Sequence, residues 1–238
     1  MIRGEPLTAI IPVRGGSKGL PGKNLLRIGR DTLLERAIKL ALACSRVERV
    51  IVSTDDQAMH DIARTYGVAS RQLRPHHLAT DTATTADVVS QLIEEEGISS
   101  GYLVLLQATS PLRKLEDFVQ LCDSFETSDC DAAVSLVQHD EPRPEKLKCV
   151  VNTRVVPFMA QGFEGPRQSL AQIFALNGAF YLIALSVFLK ERRFLPENTL
   201  PFLMPKERSA NLDTLSDWQV LQAMIAAGHW SVEEYPHP

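Results

Sequence analysis

Short apolar runs alternate with amphipathic segments along most of the chain. Apolar stretches rich in Val, Ile and Leu predict buried strands, and apolar positions at helical spacing predict the helices between them. The predicted strands cover residues 7–13, 47–54, 102–107, 131–138, 178–184 and 200–205. The predicted helices cover residues 32–44, 57–66, 82–96, 114–126 and 215–227. This alternation predicts an α/β fold with a Rossmann-like, mostly parallel sheet and helices on both faces.

The alternation breaks between residues 139 and 176. The segments HDEPRPEKLK and QGFEGPRQSL concentrate proline, glycine and charge, which interrupt any long helix or strand. We therefore expect one domain over residues 1–238, with a small lobe inserted at 139–176. Asp31 or Thr32 is the expected N-cap of the first helix.

Composition narrows the class of protein. The chain has 238 residues, of which 45% are hydrophobic and 23% charged, so it can bury a large core. Its net charge of −4 argues against general binding to nucleic acid. No apolar run approaches the roughly 20 residues that span a membrane. The start, MIRGEPL, lacks the apolar centre of a signal peptide, so we expect a cytoplasmic protein without a membrane partner.

The cysteines and histidines show no metal-binding pattern. Cys44, Cys122, Cys130 and Cys149 lack CxxC spacing, and the adjacent His76 and His77 are poorly placed to chelate one metal. We therefore expect the cysteines to be buried free thiols.

The loop after the first predicted strand carries the clearest chemistry. The stretch 11–25, IPVRGGSKGLPGKNL, combines closely spaced glycines with one arginine and two lysines. Glycines expose backbone N–H groups to phosphate oxygens, and fixed cations suit a polyphosphate. The loop matches neither the P-loop pattern nor GxGxxG. Its glycines and cations are Gly15, Gly16, Gly19, Gly22, Arg14, Lys18 and Lys23.

This loop resembles the signature of the cytidylyltransferases that activate sialic acid and related nine-carbon keto acids. Six further segments agree with that family in the same order: STD at 53–55, LRPHHLATDTATT at 73–85, LLQATSPLR at 105–113, PRQSL at 166–170, LNGAFY at 176–181 and NLDTLSDW at 211–218. The resemblance covers residues 7–225. It implies a nucleotidyltransferase fold, Mg²⁺ as the cofactor, CTP and a nine-carbon sugar acid as substrates, and a homodimer formed through the inserted lobe.

The resemblance also assigns residues to the nucleotide. The implied CTP-binding residues are Arg14, Gly15, Gly16, Ser17, Lys18, Lys23, Asn24, Arg74, Thr84 and Thr85. The implied catalytic residues are Arg14, Lys18, Lys23 and Asp213. Arg74 and the two threonine hydroxyls suit a pyrimidine and its ribose, but helix capping is an equally open role for Thr84 and Thr85.

The sugar acid is assigned to residues from three segments. Gln107 ends a predicted buried strand and precedes a Ser-Pro turn, where an amide would face a ligand. Arg167 and Gln168 lie in the lobe and by resemblance would reach the partner's site, although an ordinary surface loop is the alternative. Asn177 is assigned by resemblance alone, because Asn-Gly is commonly a turn. Ala108 replaces the proline common in the family.

The metal is assigned by resemblance to Asp213, near the last predicted helix. Carboxylates beside triphosphate oxygens are the usual ligands of Mg²⁺. The family often has a second acid where this chain has Asn211, a neutral oxygen ligand. Asp217 is a further candidate ligand, and the start of a helix is its alternative role. The number of metals is therefore open.

A second departure from the family narrows the choice of sugar acid. Some sialic-acid enzymes have arginine and proline where this chain has Ala175 and Leu176. The sequence FALNGAFY looks more like the enzymes that activate legionaminic acid, and a less polar pocket fits a less hydroxylated sugar.

We therefore predict a nucleotidyltransferase that joins CTP to a sialic-acid-like sugar acid, giving CMP-sugar and pyrophosphate. The alternatives are activation of another keto sugar acid such as 3-deoxy-octulosonate, a catalytically inactive CTP-binding regulator, and a dinucleotide oxidoreductase, which the missing GxGxxG disfavours.

Overall fold

A six-stranded sheet forms the centre of the molecule in the computed structural model, which describes residues 1–159 and 171–235. The strands of the chain are β1 (Leu7–Pro12), β2 (Arg27–Ile28), β3 (Asp31–Thr32), β4 (Arg49–Ser53), β5 (Tyr102–Leu105), β6 (Ala132–His139), β7 (Lys148–Val151), β8 (Arg154–Pro157), β9 (Ile173–Ala184) and β10 (Thr199–Met204). The central sheet has the order β10-β6-β9-β5-β1-β4. Two small sheets pair β2 with β3 and β7 with β8.

Helices cover both faces of this sheet. They are α1 (Leu33–Ala43), α2 (Gln57–Thr65), α3 (Thr85–Glu96), α4 (Leu115–Glu126), α5 (Leu185–Glu191) and α6 (Leu215–Ala226). Alternate residues of β1 point to opposite faces: Ala9 and Ile11 join the core under α1, α2, α4 and α6, whereas Ile10 joins the core under α3 and α5. The predicted α/β fold with helices on both faces is confirmed.

Local sequence explains where the helices begin. Thr32 caps α1 and forms a capping box with Glu35, in which the Thr32 hydroxyl accepts from Glu35 N and a Glu35 carboxylate oxygen accepts from Thr32 N. The same arrangement of Thr214 with Asp217 starts α6. Gly97 ends α3 in the left-handed conformation that glycine adopts without steric cost.

One strand differs from the sequence prediction. β9 begins at Ile173, five residues before the predicted start at 178, and runs antiparallel to both neighbours, β5 and β6. The remaining paired strands of the central sheet are parallel. Residues 173–176 alternate exposed and half-buried positions. These four residues are apolar, but the pair Asn177-Gly178, which is commonly a turn, separates them from the apolar run that follows.

The region of the predicted lobe contains a separate hairpin. β7 and β8 pair only with each other in the described part of the chain, and Asn152 and Thr153 form the turn with positive φ. Residues 173–176 of the predicted lobe belong to the main sheet, because they pair with the end of β6. The hairpin exposes 76% of Val150 and 70% of Val155. Its apolar side chains thus face outwards.

The cysteines follow the prediction in part. All four are free, and Cys44 and Cys122 are buried in the core. Cys130 and Cys149 are only half-buried: Cys130 lies just before β6, and Cys149 lies in the hairpin of β7 and β8. Within the described residues, no helix combines the length and apolar character needed to cross a bilayer.

Candidate active site

A cleft of about 520 Å³ opens at the carboxyl ends of β1 and β5. Ligands of open α/β sheets bind at this edge, because several loops converge there. The predicted site residues that line the cleft are Arg14, Lys23, Asn24, Arg74, Thr85, Gln107, Asn211 and Asp213. The structure therefore brings together residues that lie up to about 200 positions apart in the sequence.

The glycine loop is tied to its neighbours by backbone groups. Gly15 N donates to Asp55 Oδ1 at 3.1 Å, and Asn24 Nδ2 donates to Arg14 O at 3.1 Å. Gly19 lies against the backbone oxygen of Asp213, where any Cβ would overlap that oxygen. Glycine is therefore required at residue 19 for the loop to approach the segment that carries Asp213.

Gly16 and Ser17 occupy the open part of the same loop. A Cβ on Gly16 would have no neighbour within 4 Å among the described residues. Gly16 is exposed and Ser17 half-buried, and neither residue is among those that line the cleft. Their predicted contacts with CTP remain predictions.

The three cations of the loop each face a carboxylate. Arg14 Nη1 lies 2.9 Å from Asp81 Oδ1, and Lys18 Nζ lies 2.5 Å from Asp81 Oδ2. Lys23 Nζ lies 2.9 Å from Asp213 Oδ1 and donates to Leu212 O at 3.3 Å. Three cations are therefore shared between two carboxylates, and of these cations Arg14 and Lys23 line the cleft.

Asp81 lines the cleft but was not predicted from the sequence. Hydrogen bonds from Lys18 and Arg14 hold the pKa of the Asp81 carboxyl below its ordinary value. Asp81 lies in the segment LATDTATT, where the acid stands among hydroxyl and methyl side chains. A single charged residue next to predicted ligand residues was the signal in the sequence by which Asp81 could have been found.

Arg74 is buried behind the cleft and links two strand ends. Its guanidinium donates to Ser53 Oγ at 3.1 Å, to Val13 O at 2.9 Å and to Ser53 O. Burial lowers the pKa of Arg74 to about 10, although the nearby Asp55 opposes the shift. Arg74 therefore holds the carboxyl ends of β1 and β4 together at the point where it lines the cleft.

The two predicted threonines begin α3. Thr84 is the N-cap, its hydroxyl accepting from Asp87 N and donating to Asp87 Oδ2 at 2.6 Å. Thr85 lines the cleft, whereas Thr84 is absent from its described lining. The capping alternative thus accounts for Thr84, and nucleotide contact remains a prediction for both residues.

Gln107 and Asn177 have different surroundings. Gln107 lines the cleft and packs over Gly178, where a Cβ would overlap Gln107 Oε1. The Asn177 side chain is buried, accepts from Ser135 Oγ at 2.6 Å and donates to Ser209 Oγ at 3.0 Å. Asn177 is thus directed into the interior and supports the site from behind, instead of facing the cleft as the predicted sugar contact requires.

We expect Gly178→Ala to destabilise the fold by about 2 kcal/mol and to raise the KM for a substrate that contacts Gln107. The new Cβ would overlap Gln107 Oε1 and lie 3.0 Å from Ser110 Oγ, and φ is +73°. The measurements are the free energy of unfolding in urea and steady-state KM. Gly67→Ala is the matched control, since φ there is +70° and no atom lies within 4 Å. Equal losses in both variants, with KM unchanged, would contradict positioning of Gln107 by this contact.

Asp213 and Asn211 form the candidate metal-binding pair. Asn211 Nδ2 donates to Asp213 Oδ2 at 3.1 Å, and both residues line the cleft. The described residues contain no cluster of three or more metal-ligating side chains. Mg²⁺ typically takes one or two protein ligands and fills its shell with phosphate oxygens and water. A carboxylate next to a residue that also carries an amide oxygen, both lining the cleft, fits such a site.

The Asp217 carboxylate accepts hydrogen bonds at the start of α6. Its Oδ2 accepts from Asp213 N at 3.0 Å, Thr214 N at 2.7 Å and Thr214 Oγ1 at 2.8 Å. Partial burial alone would raise the pKa of Asp217, but these hydrogen bonds outweigh it and lower the pKa. The helix-start alternative thus accounts for Asp217.

The segment before Asp213 is held by residues that sequence reasoning missed. Arg208 Nη2 lies 2.8 Å from Asp117 Oδ1, and Asp117 is fully buried on α4. Leu212 N donates to Thr109 O at 2.9 Å. The candidate metal pair is thereby fixed against both α4 and the loop that follows β5. The predicted sugar contacts Arg167 and Gln168 lie outside the described residues.

Solved structures identify the class of fold. A CMP:2-keto-3-deoxy-manno-octonic acid synthetase complexed with CTP superposes with a TM-score of 0.68 over 94% of this chain and 99% of the other, at 21% identity. A 4-diphosphocytidyl-2C-methyl-D-erythritol synthase superposes with a TM-score of 0.65 at 13% identity, over 93% of this chain and 99% of the other. The chain has the fold of nucleotidyltransferases.

The family follows from the sequence. A family model described as cytidylyltransferase matches residues 8–159, and the chain belongs to this family. An N-acylneuraminate cytidylyltransferase of Streptococcus agalactiae is 30% identical over 212 residues, which cover 88% of this chain and 51% of that protein. A CMP-N,N'-diacetyllegionaminic acid synthase of Legionella pneumophila is 29% identical over 225 residues, covering 92% and 96%. The chain thus spans about half the length of the first relative.

Proposed function

We propose that the protein transfers the cytidylyl group of CTP to a nine-carbon, sialic-acid-like keto sugar acid. The observation that carries this proposal is the meeting of Arg14, Lys23 and Asp213 at one cleft, at the carboxyl edge of the sheet. The cations suit the phosphates of a nucleoside triphosphate, and the carboxylate oxygens suit a divalent metal. The two relatives named above act on acids of this class, as their names state.

The proposed reaction is an in-line displacement at the α-phosphorus of CTP. The hydroxyl oxygen on C2 of the sugar acid forms the new O–P bond and loses its proton, while the bond to pyrophosphate breaks and its electrons leave with pyrophosphate. Arg14, Lys18 and Lys23 would offset the charge on the triphosphate and on the departing pyrophosphate. Positioning and charge stabilisation are then the main contributions of the protein.

We propose Mg²⁺ as the divalent metal, held by Asp213 with Asn211 as a neutral partner. When bound, it would polarise the α-phosphate. Asn211 already donates one amide hydrogen to Asp213, which orients the carboxylate towards the cleft. One carboxylate is enough for a Mg²⁺ site that is completed by phosphate oxygens.

We propose a less hydroxylated acid such as a legionaminate as the preferred sugar. Leu176 and Tyr181 line the cleft together with Ala108, and these side chains offer mainly apolar surface. An apolar pocket only weakly rejects a substrate that carries an extra hydroxyl group. We therefore expect both acids to react, with a higher kcat/KM for the legionaminate.

The test is pyrophosphate release from CTP and Mg²⁺ with N-acetylneuraminate, di-N-acetyllegionaminate and 3-deoxy-octulosonate in parallel. Release with either nine-carbon acid supports the proposal, and a higher kcat/KM with legionaminate supports the role of Leu176. Release with 3-deoxy-octulosonate alone would replace the proposed acid with an eight-carbon one. CTP binding without release from any acid would favour a regulator that only binds nucleotide.

We also propose a homodimer formed through the β7–β8 hairpin. Val150, Val155 and Phe158 expose most of their surface on the same small element, and a second copy would bury them. Sedimentation equilibrium of the parent and of Val155→Asp tests this proposal. We expect a dimer for the parent and a monomer for Val155→Asp, with sugar turnover reduced if Arg167 and Gln168 complete the partner's site. A fully active parent monomer would contradict it.

A further inference from the structure

Asp81 holds two of the three cations that the proposed function assigns to the triphosphate. Each carboxylate oxygen takes one of them: Oδ1 lies 2.9 Å from Arg14 Nη1, and Oδ2 lies 2.5 Å from Lys18 Nζ. Asp81 reaches them across the cleft from the segment between Arg74 and α3, 67 positions away from Arg14 in the sequence. The contact is therefore made between two different walls of the cleft.

A phosphate group would compete with the Asp81 carboxylate for the same two cationic side chains. Two negative charges a few ångström apart repel each other, and they do so more strongly near a protein surface than in water. A polyphosphate that engages Arg14 and Lys18 therefore binds against the charge of Asp81 or displaces that carboxylate from them. We propose that Asp81 is a competing counter-ion that lowers the affinity of the cleft for polyphosphate and so sets the affinity for CTP. This inference rests on the proposed function.

The segment that carries Asp81 is anchored at its ends. Before it, Arg74 N donates to Thr54 O at 2.8 Å, and after it, Thr84 is fixed by the capping box with Asp87. Between these anchors, the hydrogen bonds described for residues 79–83 stay within residues 76–82, apart from those of Asp81. The Asp81 ion pairs therefore link this segment to the glycine loop, and their release leaves both anchors intact.

A different role for Asp81 would be contact with the nucleoside. A carboxylate can accept hydrogen bonds from ribose hydroxyls or from an amino group of the base. The two roles predict opposite effects on CTP, because a counter-ion weakens binding and a nucleoside ligand strengthens it. The two roles also predict different effects on the binding of inorganic tripolyphosphate. This ligand has no nucleoside, so its affinity depends on the cations and not on a nucleoside contact.

The test is isothermal titration calorimetry of the full chain and of Asp81→Asn with CTP and with inorganic tripolyphosphate, at low ionic strength. We expect both ligands to bind Asp81→Asn about fivefold more tightly, the scale of one or two exposed ion pairs. Asp129→Asn is the matched control for net charge. Asp129 is exposed and precedes β6, at the opposite end of the strands from the cleft. We expect both of its dissociation constants to equal those of the parent.

Each other outcome overturns the inference. Weaker CTP binding with unchanged tripolyphosphate binding would make Asp81 a nucleoside contact. Unchanged constants for both ligands, or a change for CTP alone, would show that Asp81 does not compete for the phosphate cations. An equal gain in Asp129→Asn would reduce the effect to net charge. These results leave the proposed function in place, whereas a parent that binds neither ligand would overturn both.

Discussion

Replacing Lys23 with alanine is expected to lower kcat by about 10²- to 10³-fold, with little change in the KM for the sugar acid. Lys23 is largely buried and is fixed by Asp213 Oδ1 at 2.9 Å and Leu212 O at 3.3 Å. A cation held in this way can stabilise the charge that develops on pyrophosphate without reorganising. Steady-state kinetics with CTP, Mg²⁺ and the sugar acid measure the effect.

Two further variants separate the charge of Lys23 from other effects. Lys190→Ala removes an exposed lysine from α5 and should leave kcat unchanged. Lys23→Met keeps most of the aliphatic stem, so it should lose activity like the alanine variant if charge is the cause. Equal turnover in parent and Lys23→Ala would remove Lys23 from the catalytic residues. Recovery of activity in Lys23→Met would assign its effect to packing.

The second large effect is expected for Asp213→Asn. This change should raise the Mg²⁺ concentration that gives half-maximal activity by about 10- to 100-fold. The pair with Asn211 would then offer two neutral oxygens and no charge to the metal. It would also leave Lys23 without the carboxylate that it contacts. A Mg²⁺ titration of pyrophosphate release at saturating CTP measures the change.

Asp217→Asn is the informative comparison for Asp213→Asn. Because Asp217 accepts three hydrogen bonds at the start of α6, its replacement should cost about 1 kcal/mol of stability and leave the Mg²⁺ titration unchanged. If the Mg²⁺ titration shifted in Asp217→Asn and not in Asp213→Asn, Asp217 would be the metal ligand in place of Asp213. An unchanged titration in Asp213→Asn would exclude Asp213 from the metal site.

Much of the site was accessible from the sequence because its residues stand in short, ordered segments. The glycine loop, Gln107 and Asp213 were all recognised in this way, and the structure places Arg14 and Lys23 of the loop along one cleft with Gln107 and Asp213. Asn177 was recognised by the same route, yet its side chain turns inwards to Ser135 and Ser209. A motif preserves the identity of a residue, but the direction of its side chain depends on the strand in which it lies.

Periodicity along the chain determined the fold class, since a buried strand needs a continuous apolar run and a helix needs an apolar stripe. It could not determine strand order, so the antiparallel direction of β9 emerged only from the tertiary structure. The same holds for the ion pairs of the cleft. Lys23 meets Asp213 across 190 positions, and Arg14 meets Asp81 across 67. Local pattern sets each element, whereas the pairing of distant charges depends on how the elements pack, and that packing placed Asp81 opposite Arg14 and Lys18.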